Sequence, residues 1–296
     1  MTRTLVPPPR YDLARSLGRL AVVPGDPTIR ATATEAWWAT RTPDGPGTLH
    51  LRRSGGALTA AAYGPGAAWL LERADAVAGL RDDVSGFDAS PHEVVARLWH
   101  LHNGVRLPAT GRVFHHLVPA ILGQKVTGME ASRGYRGMLR HLTQPAPGPR
   151  PMPLPPAPEE VAATPYWRFH RWGVEQRRAD TICRAATRAA ALERATDSAD
   201  AQRRLTSLPG IGVWTAAEVV RVAFGDADAV SVGDYHVKHT VSYALAGEVR
   251  GTDERMLELL EPFRGHRGRV CSLLEAGGMF APRFGPRMTV RSFAHF

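Results

Sequence analysis

The sequence predicts a mostly α chain that carries a small α/β unit at its N-terminal end. Three observations predict this. Strand-like segments are confined to residues 34–63, and helical periodicity takes over from about residue 89. In that second part a Pro-Gly-x-Gly turn, Leu208-Pro209-Gly210-Ile211-Gly212, joins two helical stretches.

Tyr11 to Leu20 places Leu13, Leu17 and Leu20 on one face and reads as a short helix. Strand-like pieces follow at 34–40, 48–53 and 57–63, and Gly55-Gly56 between the last two is a hairpin signal. Residues 67–78 read as helix, which completes an α/β unit over 1–88. Ser90-Pro91 supplies a cap and first turn for a helix ending near His102. Residues 113–142 hold one or two helices, with an interruption expected at Gly134. The stretch 144–158 is so rich in proline that it is a loop or linker. Pro158 opens the next helix, and 176–192 is a helix rich in alanine and arginine. Helices over 200–207 and 213–224 flank the Pro-Gly turn, and 234–246, 253–260 and 266–276 complete a helical part spanning 89–296. The tail from Phe280 reads as basic and irregular. There is no internal repeat.

With 296 residues, 44% of them hydrophobic and 22% charged, the chain has the composition of a soluble globular protein with ample core. Its formal charge of +9 comes almost entirely from arginine, since lysine occurs only at Lys125 and Lys238. Such a balance suits a polyanionic partner; a GC-rich genome gives the same bias. Cys183 and Cys271 are too few for a four-cysteine iron–sulfur cluster and lack zinc-ligand spacing. Neither a signal core nor a membrane-length apolar stretch is present, so a cytoplasmic protein with no membrane contact is expected.

The chemistry concentrates around the turn. Gly210 and Gly212 permit close backbone approach, and Thr215 lies in the first turn of the following helix. Free amides at such a helix start can hold one phosphate without reading sequence; an ordinary helix–helix turn uses the same residues. Asp234, in Val232-Gly233-Asp234-Tyr235-His236, follows Trp214 by twenty residues. It suits either a helix N-cap or a carboxylate aimed at the sugar of a bound nucleic acid.

Leu208-Pro-Gly-Ile-Gly-Val-Trp-Thr-Ala followed by Val232-Gly-Asp-Tyr-His-Val-Lys resembles the helix-hairpin-helix DNA glycosylase superfamily, and within it the 3-methyladenine DNA glycosylase II type. Ala120-Ile-Leu-Gly-Gln-Lys-Val-Thr and Pro262-Phe-Arg-Gly-His-Arg-Gly-Arg resemble further segments of that family. The likeness covers roughly 100–278, and more weakly the N-terminal unit.

The resemblance implies a helix-hairpin-helix DNA glycosylase domain with a small N-terminal α/β domain. It implies a monomeric, nucleoid-associated enzyme of base excision repair that acts on damaged bases in double-stranded DNA. Asp234 would stabilise the oxocarbenium-like sugar as an N-alkylated purine leaves. Where bifunctional relatives carry a Schiff-base lysine this chain has Trp214, so an abasic site without strand cleavage is expected. Trp214 would line the base pocket or pack in the core. Glu218 stands where the family has an aromatic; it would attract a cationic base, accept from an exocyclic amine, or face solvent. Lys125 matches the wedge position, with an exposed helix-end lysine as the other reading. Lys238 would contact phosphate or sit solvated. The carbonyls of Thr206, Leu208 and Ile211 would hold a monovalent cation, and no other cofactor is expected. His115 and His116 would be surface or pocket-rim residues. A glycosylase for deaminated or oxidised bases, and a DNA-lesion-binding protein without catalysis, are the competing expectations.

Overall fold

Five strands near the N-terminus form one antiparallel sheet. β1 (Thr2–Leu5) is followed by helix α1 (Leu13–Gly18), then β2 (Ile29–Ala31), β3 (Glu35–Thr42), β4 (Gly45–Ser54) and β5 (Ala57–Tyr63), in the spatial order β1-β5-β4-β3-β2. The computed structural model describes residues 2–282, so the expected basic tail lies almost wholly outside the described residues. Ser54 pairs with Ala57 across the two-residue Gly55-Gly56 loop, and Gly55 has φ 59°, which glycine adopts without strain. The sequence gives no comparable signal for β1 and β2, four and three residues long.

The helices follow as α2 (Ala67–Glu72), α3 (Ala74–Val77), α4 (Glu93–His102), α5 (Val113–Leu122) and α6 (Gly128–Leu142). Next come α7 (Pro158–Ala162), α8 (Tyr166–His170), α9 (Gln176–Thr187), α10 (Ala189–Glu193) and α11 (Ser198–Thr206). The last are α12 (Val213–Ala223), α13 (Val237–Ala246), α14 (Asp253–Leu260) and α15 (Arg267–Ala276). None of them is long and apolar enough to cross a membrane among the described residues.

Several boundaries differ from expectation for local reasons. The helices expected over 67–78 and 176–192 each break in two, at Arg73 and Arg188, whose φ/ψ of −101°/6° and −108°/1° leave the helical region. Ser90 does not cap α4. It is turned back onto Asp88, and His92 Nδ1 accepts from Val94 N at 3.2 Å instead. Nor does Gly134 interrupt α6. A Cβ at Gly134 would stand 3.1 Å from Val174, and one at Gly137 2.7 Å from Trp172, so these glycines let the 172–174 segment press against the helix. The break falls at 123–127, where Thr127 and Glu130 form a reciprocal capping box for α6.

Alternation along β3 explains why both sheet faces are covered. Ala36 and Trp38 join Leu13, Leu17, Leu49, Leu51 and Leu70 in one core, while Trp37 and Ala39 point the other way. The proline-rich stretch covers that second face: Ala146, Met152 and Leu154 pack on Trp37, and Arg41 Nε donates to Pro155 O at 2.9 Å. It is a loop, and a packed one. The helices bury two further cores. One gathers α5, α6, α9, α11 and α12 around Leu117, Ile121, Ile182, Leu205 and Val219; the other gathers α4, α13, α14 and α15 around Val95, Val241, Met256 and Leu273.

Polar groups are buried where the sheet meets the helices. His115 on α5 stacks on Trp38 (centroids 5.5 Å) and on His116 (4.8 Å), and its ring nitrogens meet Thr40 Oγ1 at 2.8 Å and Thr28 Oγ1 at 3.2 Å. Both histidines are buried, not rim residues as expected, and burial lowers the pKa of His115 to about 3. Asp26 accepts from Thr28 N and Oγ1, and burial lifts its carboxyl to about 6. Asp82 meets the Arg269 guanidinium at 2.5 Å with both side chains 3% exposed, and Asp82 Oδ2 also accepts from Leu107 N.

Two stability predictions follow from these groups. Asp82→Asn leaves the Arg269 charge buried without its counterion, and chemical denaturation is expected to read a loss of about 3–5 kcal/mol; a loss below about 1 kcal/mol would contradict this account. At Asp26 the folded state holds its proton more tightly than the unfolded chain, so stability falls as pH rises from about 4 to about 6 and stays lowered above. Asp26→Asn keeps an acceptor for Thr28 and removes the buried charge. Urea melts are expected to show it stabilised by up to about 3 kcal/mol near pH 8, a gain that disappears below about pH 4.

Candidate active site

The hairpin is held from two sides. Gly210 has φ 93°, and a Cβ there would lie 2.5 Å from Thr181 Oγ1 on α9, so only glycine fits. From α9 as well, Arg184 donates to Pro209 O at 2.7 Å. From the loop before α6, Gln124 Nε2 donates to Gly210 O at 3.0 Å and to Thr215 Oγ1 at 2.9 Å. Gly212 is the N-cap of α12 and brings no side chain to its first amides, while Val213 beside it is 63% exposed. The first turn of α12 therefore faces outward with donor groups that its own chain leaves uncapped. The buried Thr215 contributes through its hydroxyl, which fixes the hairpin to Gln124.

Asp234 lies in the connection between the two helical cores, on the segment from α12 to α13. Trp214 Nε1 donates to its Oδ2 at 3.0 Å, while Oδ1 accepts from His236 N at 2.7 Å and Val237 N at 2.9 Å. The carboxylate is therefore both an anchor for the start of α13 and the partner of the tryptophan one hairpin away. The capping reading of the sequence is met by the bonds to His236 N and Val237 N. Gly233, at φ 89°, makes the bend before it, and its N–H donates to Asp253 Oδ1 at 2.9 Å.

Lys238 Nζ meets the other oxygen of Asp253 at 3.2 Å, so this lysine braces the Asp234 loop instead of standing free for phosphate. Lys125 is exposed in the loop ahead of α6 and adopts φ 53°, a left-handed conformation rare for a residue with a side chain. Glu218 does not face solvent. Its Oε1 accepts from Ser231 Oγ at 2.5 Å and its Oε2 from Arg221 at 2.8 Å. Trp214, Glu218 and Arg221 are spaced four and three residues apart, so they line one face of α12.

Gln124, Arg184, Arg221 and Asp253 were not singled out from sequence. Gln124 lies within a quoted motif, between Gly123 and Lys125, and could have been found there. Asp253 acts across twenty residues and carries no local signal.

The hairpin carbonyls of Thr206, Leu208 and Ile211 are neutral oxygens at and beyond the C-terminal end of α11, the negative end of its dipole. That donor set fits a monovalent cation better than a divalent one, which favours carboxylates. Among the described residues no group of three or more His, Cys, Asp or Glu side chains could hold a metal ion.

No protein-family model matches the sequence, and no curated protein matches it either. Solved structures do match. The chain is similar to the 3-methyladenine DNA glycosylase from Archaeoglobus fulgidus, with TM-score 0.74 and 17% identity over 93% of this chain and 97% of that one. It is also similar to the Clostridium acetobutylicum 8-oxoguanine glycosylase/lyase in complex with double-stranded DNA (TM-score 0.61, 12% identity, 83% and 95% covered). A third is the Schizosaccharomyces pombe 3-methyladenine DNA glycosylase in complex with abasic DNA (TM-score 0.51, 17% identity, 64% and 94% covered). The chain shares the fold of these solved DNA glycosylases, mostly α with a small N-terminal sheet.

Proposed function

We propose that this protein is a monofunctional DNA glycosylase that removes N-alkylated purines of the 3-methyladenine type from double-stranded DNA and leaves an abasic site. The observation that carries the reading is the Asp234 carboxylate, oriented by three hydrogen bonds and set one indole away from the exposed hairpin. The hairpin amides would grip a phosphate of the damaged strand, and the nucleotide would leave the stack to reach Asp234. As the bond from C1′ to the base nitrogen breaks, positive charge grows on the sugar. A fixed anion in a water-poor site stabilises that charge; the base departs with the bonding pair, and water adds at C1′. Alkylation has already made the leaving base cationic, so it departs neutral without a protein acid.

The face of the Trp214 indole suits such an electron-poor base through stacking and cation–π attraction. Trp214 at the Schiff-base position of α12 and the tie of Lys238 to Asp253 support the reading without strand cleavage. We also propose a monomeric enzyme acting on chromosomal DNA in the cytoplasm, and a monovalent cation on the carbonyls of Thr206, Leu208 and Ile211. The Glu218–Arg221 pair favours a second reading. A guanidinium and a carboxylate on the Trp214 face are a donor and an acceptor for the carbonyl and amine edges of oxidised or deaminated bases.

Single-turnover base release from methylated duplexes is expected for the wild type, with alkali-labile but uncut strands. Asp234→Asn keeps an oxygen for the α13 amides, loses the anion, and is expected to cut the rate by at least about 10²–10³. Unchanged release in that variant would overturn the role of Asp234. Lesion binding without release by the wild type would move the protein to the binding-only reading. A lesion panel separates the two substrate classes. Release of 3-methyladenine ahead of 8-oxoguanine, hypoxanthine and uracil is expected, and the reverse order would select the second reading.

A further inference from the structure

Two adjoining clefts of about 730 and 590 Å³ open on the side of the molecule formed by α6, the β2 edge and the turn after α8. They share Arg136 and Arg140, and Arg30, Arg133 and Arg171 line their walls. Arg133, Arg136 and Arg140 follow one another by three and four residues, so they form one stripe on the exposed face of α6, while Ala131, Tyr135, Met138 and Leu139 on its other face are buried. Arg136 is pinned, donating to Gly25 O at 2.9 Å. Arg30, Arg133, Arg140 and Arg171 are exposed or nearly so and pair with no carboxylate among the described residues. Elsewhere some exposed arginines are compensated, as at Arg81–Asp75, Arg203–Asp200 and Arg264–Glu261, and others, Arg97 and Arg194 among them, stand singly; α6 differs in carrying three on one face. Asp26, the carboxyl in this lining, is buried beside Arg136, and burial raises it to about 6.

The stripe lies on the helix whose preceding loop is tied to the hairpin. Gln124 ties the loop ahead of α6 to Gly210, Lys125 is exposed in that loop, and α6 runs away from it. From Arg133 to Arg140 the helix rises about 10 Å, which matches about three base-pair steps along the duplex axis at about 3.4 Å each. We propose that this arginine cleft is a second DNA-binding site, which holds the sugar–phosphate backbone of duplex flanking the segment gripped by the hairpin. Guanidinium groups suit phosphate, and their spacing along one helix suits a regular polyanion better than a single small anion. The site lies outside the candidate catalytic residues, so it adds affinity and length dependence without touching the chemistry. It rests on the reading of the chain as a duplex-DNA protein, but it does not require base release.

The test is fluorescence anisotropy with undamaged duplexes of about 12 and about 30 base pairs, titrated across salt concentrations. Arg133→Ala/Arg140→Ala is compared with wild type and with a control pair of exposed arginines elsewhere, Arg97→Ala/Arg194→Ala. The expected result is a salt slope reduced by about 2 and an affinity reduced about tenfold or more on the long duplex only. Short-duplex binding and single-turnover base release are expected to stay as in wild type. Arg30→Ala/Arg171→Ala is a second variant, expected to act in the same direction should the first lose its thermal transition. An unchanged slope on the long duplex overturns the proposal, as does an equal effect of the control pair. So does binding of anionic vesicles or heparin that depends on Arg133 and Arg140 while duplex binding does not. Length-dependent duplex binding lost in the variant, with no base release by the wild type, would uphold the cleft and reject the glycosylase reading.

Discussion

One carboxylate joins the two helical bodies of this protein. Asp234 receives the Trp214 indole N–H from the body that carries the hairpin, and it anchors the first amides of α13, which belongs to the other. Each contact alone is an ordinary hydrogen bond to an ion, worth about 1.5–3 kcal/mol. Together they fix both oxygens, so the carboxylate has little freedom to rotate away from the hairpin. A group meant to meet growing positive charge must already be in place before the charge appears, because reorganisation during the reaction would cancel the gain. The bonds to the α13 amides supply that rigidity, so in the proposed function a structural contact would serve as the positioning device.

The same economy appears around the Asp234 loop. Gly233 makes the bend, Asp253 holds its N–H, and Lys238 neutralises Asp253, so a cation close in sequence to the site serves the loop geometry. On the hairpin side Gln124 links the loop before α6, which carries Lys125, to Gly210 and Thr215. The left-handed backbone of Lys125 is carried by a loop fastened at both ends, by Gln124 on one side and by the α6 capping box on the other.

What was legible in the sequence was what local chemistry determines. The Gly55-Gly56 hairpin, Pro158 at a helix start and the Pro-Gly-x-Gly turn are encoded by backbone requirements of a few adjacent residues, and each appears where expected. Asp234 could be singled out because it sits in a motif with its glycine. Gly134 was misread, because a glycine inside a helix signals a break or a close approach with equal force, and only the position of Trp172 and Val174 decides between them. His115 and His116 were placed at the surface because their burial depends on Thr28, Thr40 and Thr110, threonines that no periodicity connects to them. Pairing partners such as Asp253 for Lys238, and Arg221 for Glu218, are set by tertiary packing and leave no trace in spacing alone.

The distribution of arginine is the property that composition most understates. A net charge of +9 says that the chain is basic, and a GC-rich genome would produce the same number. Such a genome does not explain where the charges go. Arg221 beside Glu218 and Arg269 beside Asp82 are neutralised inside the fold, where an unpaired charge would cost several kcal/mol. Arg30, Arg133 and Arg140 stand together with no carboxylate partner among the described residues, on a surface where clustering raises mutual repulsion. Arginines gathered around two adjoining clefts concentrate positive potential there, on a helix whose preceding loop Gln124 ties to Gly210.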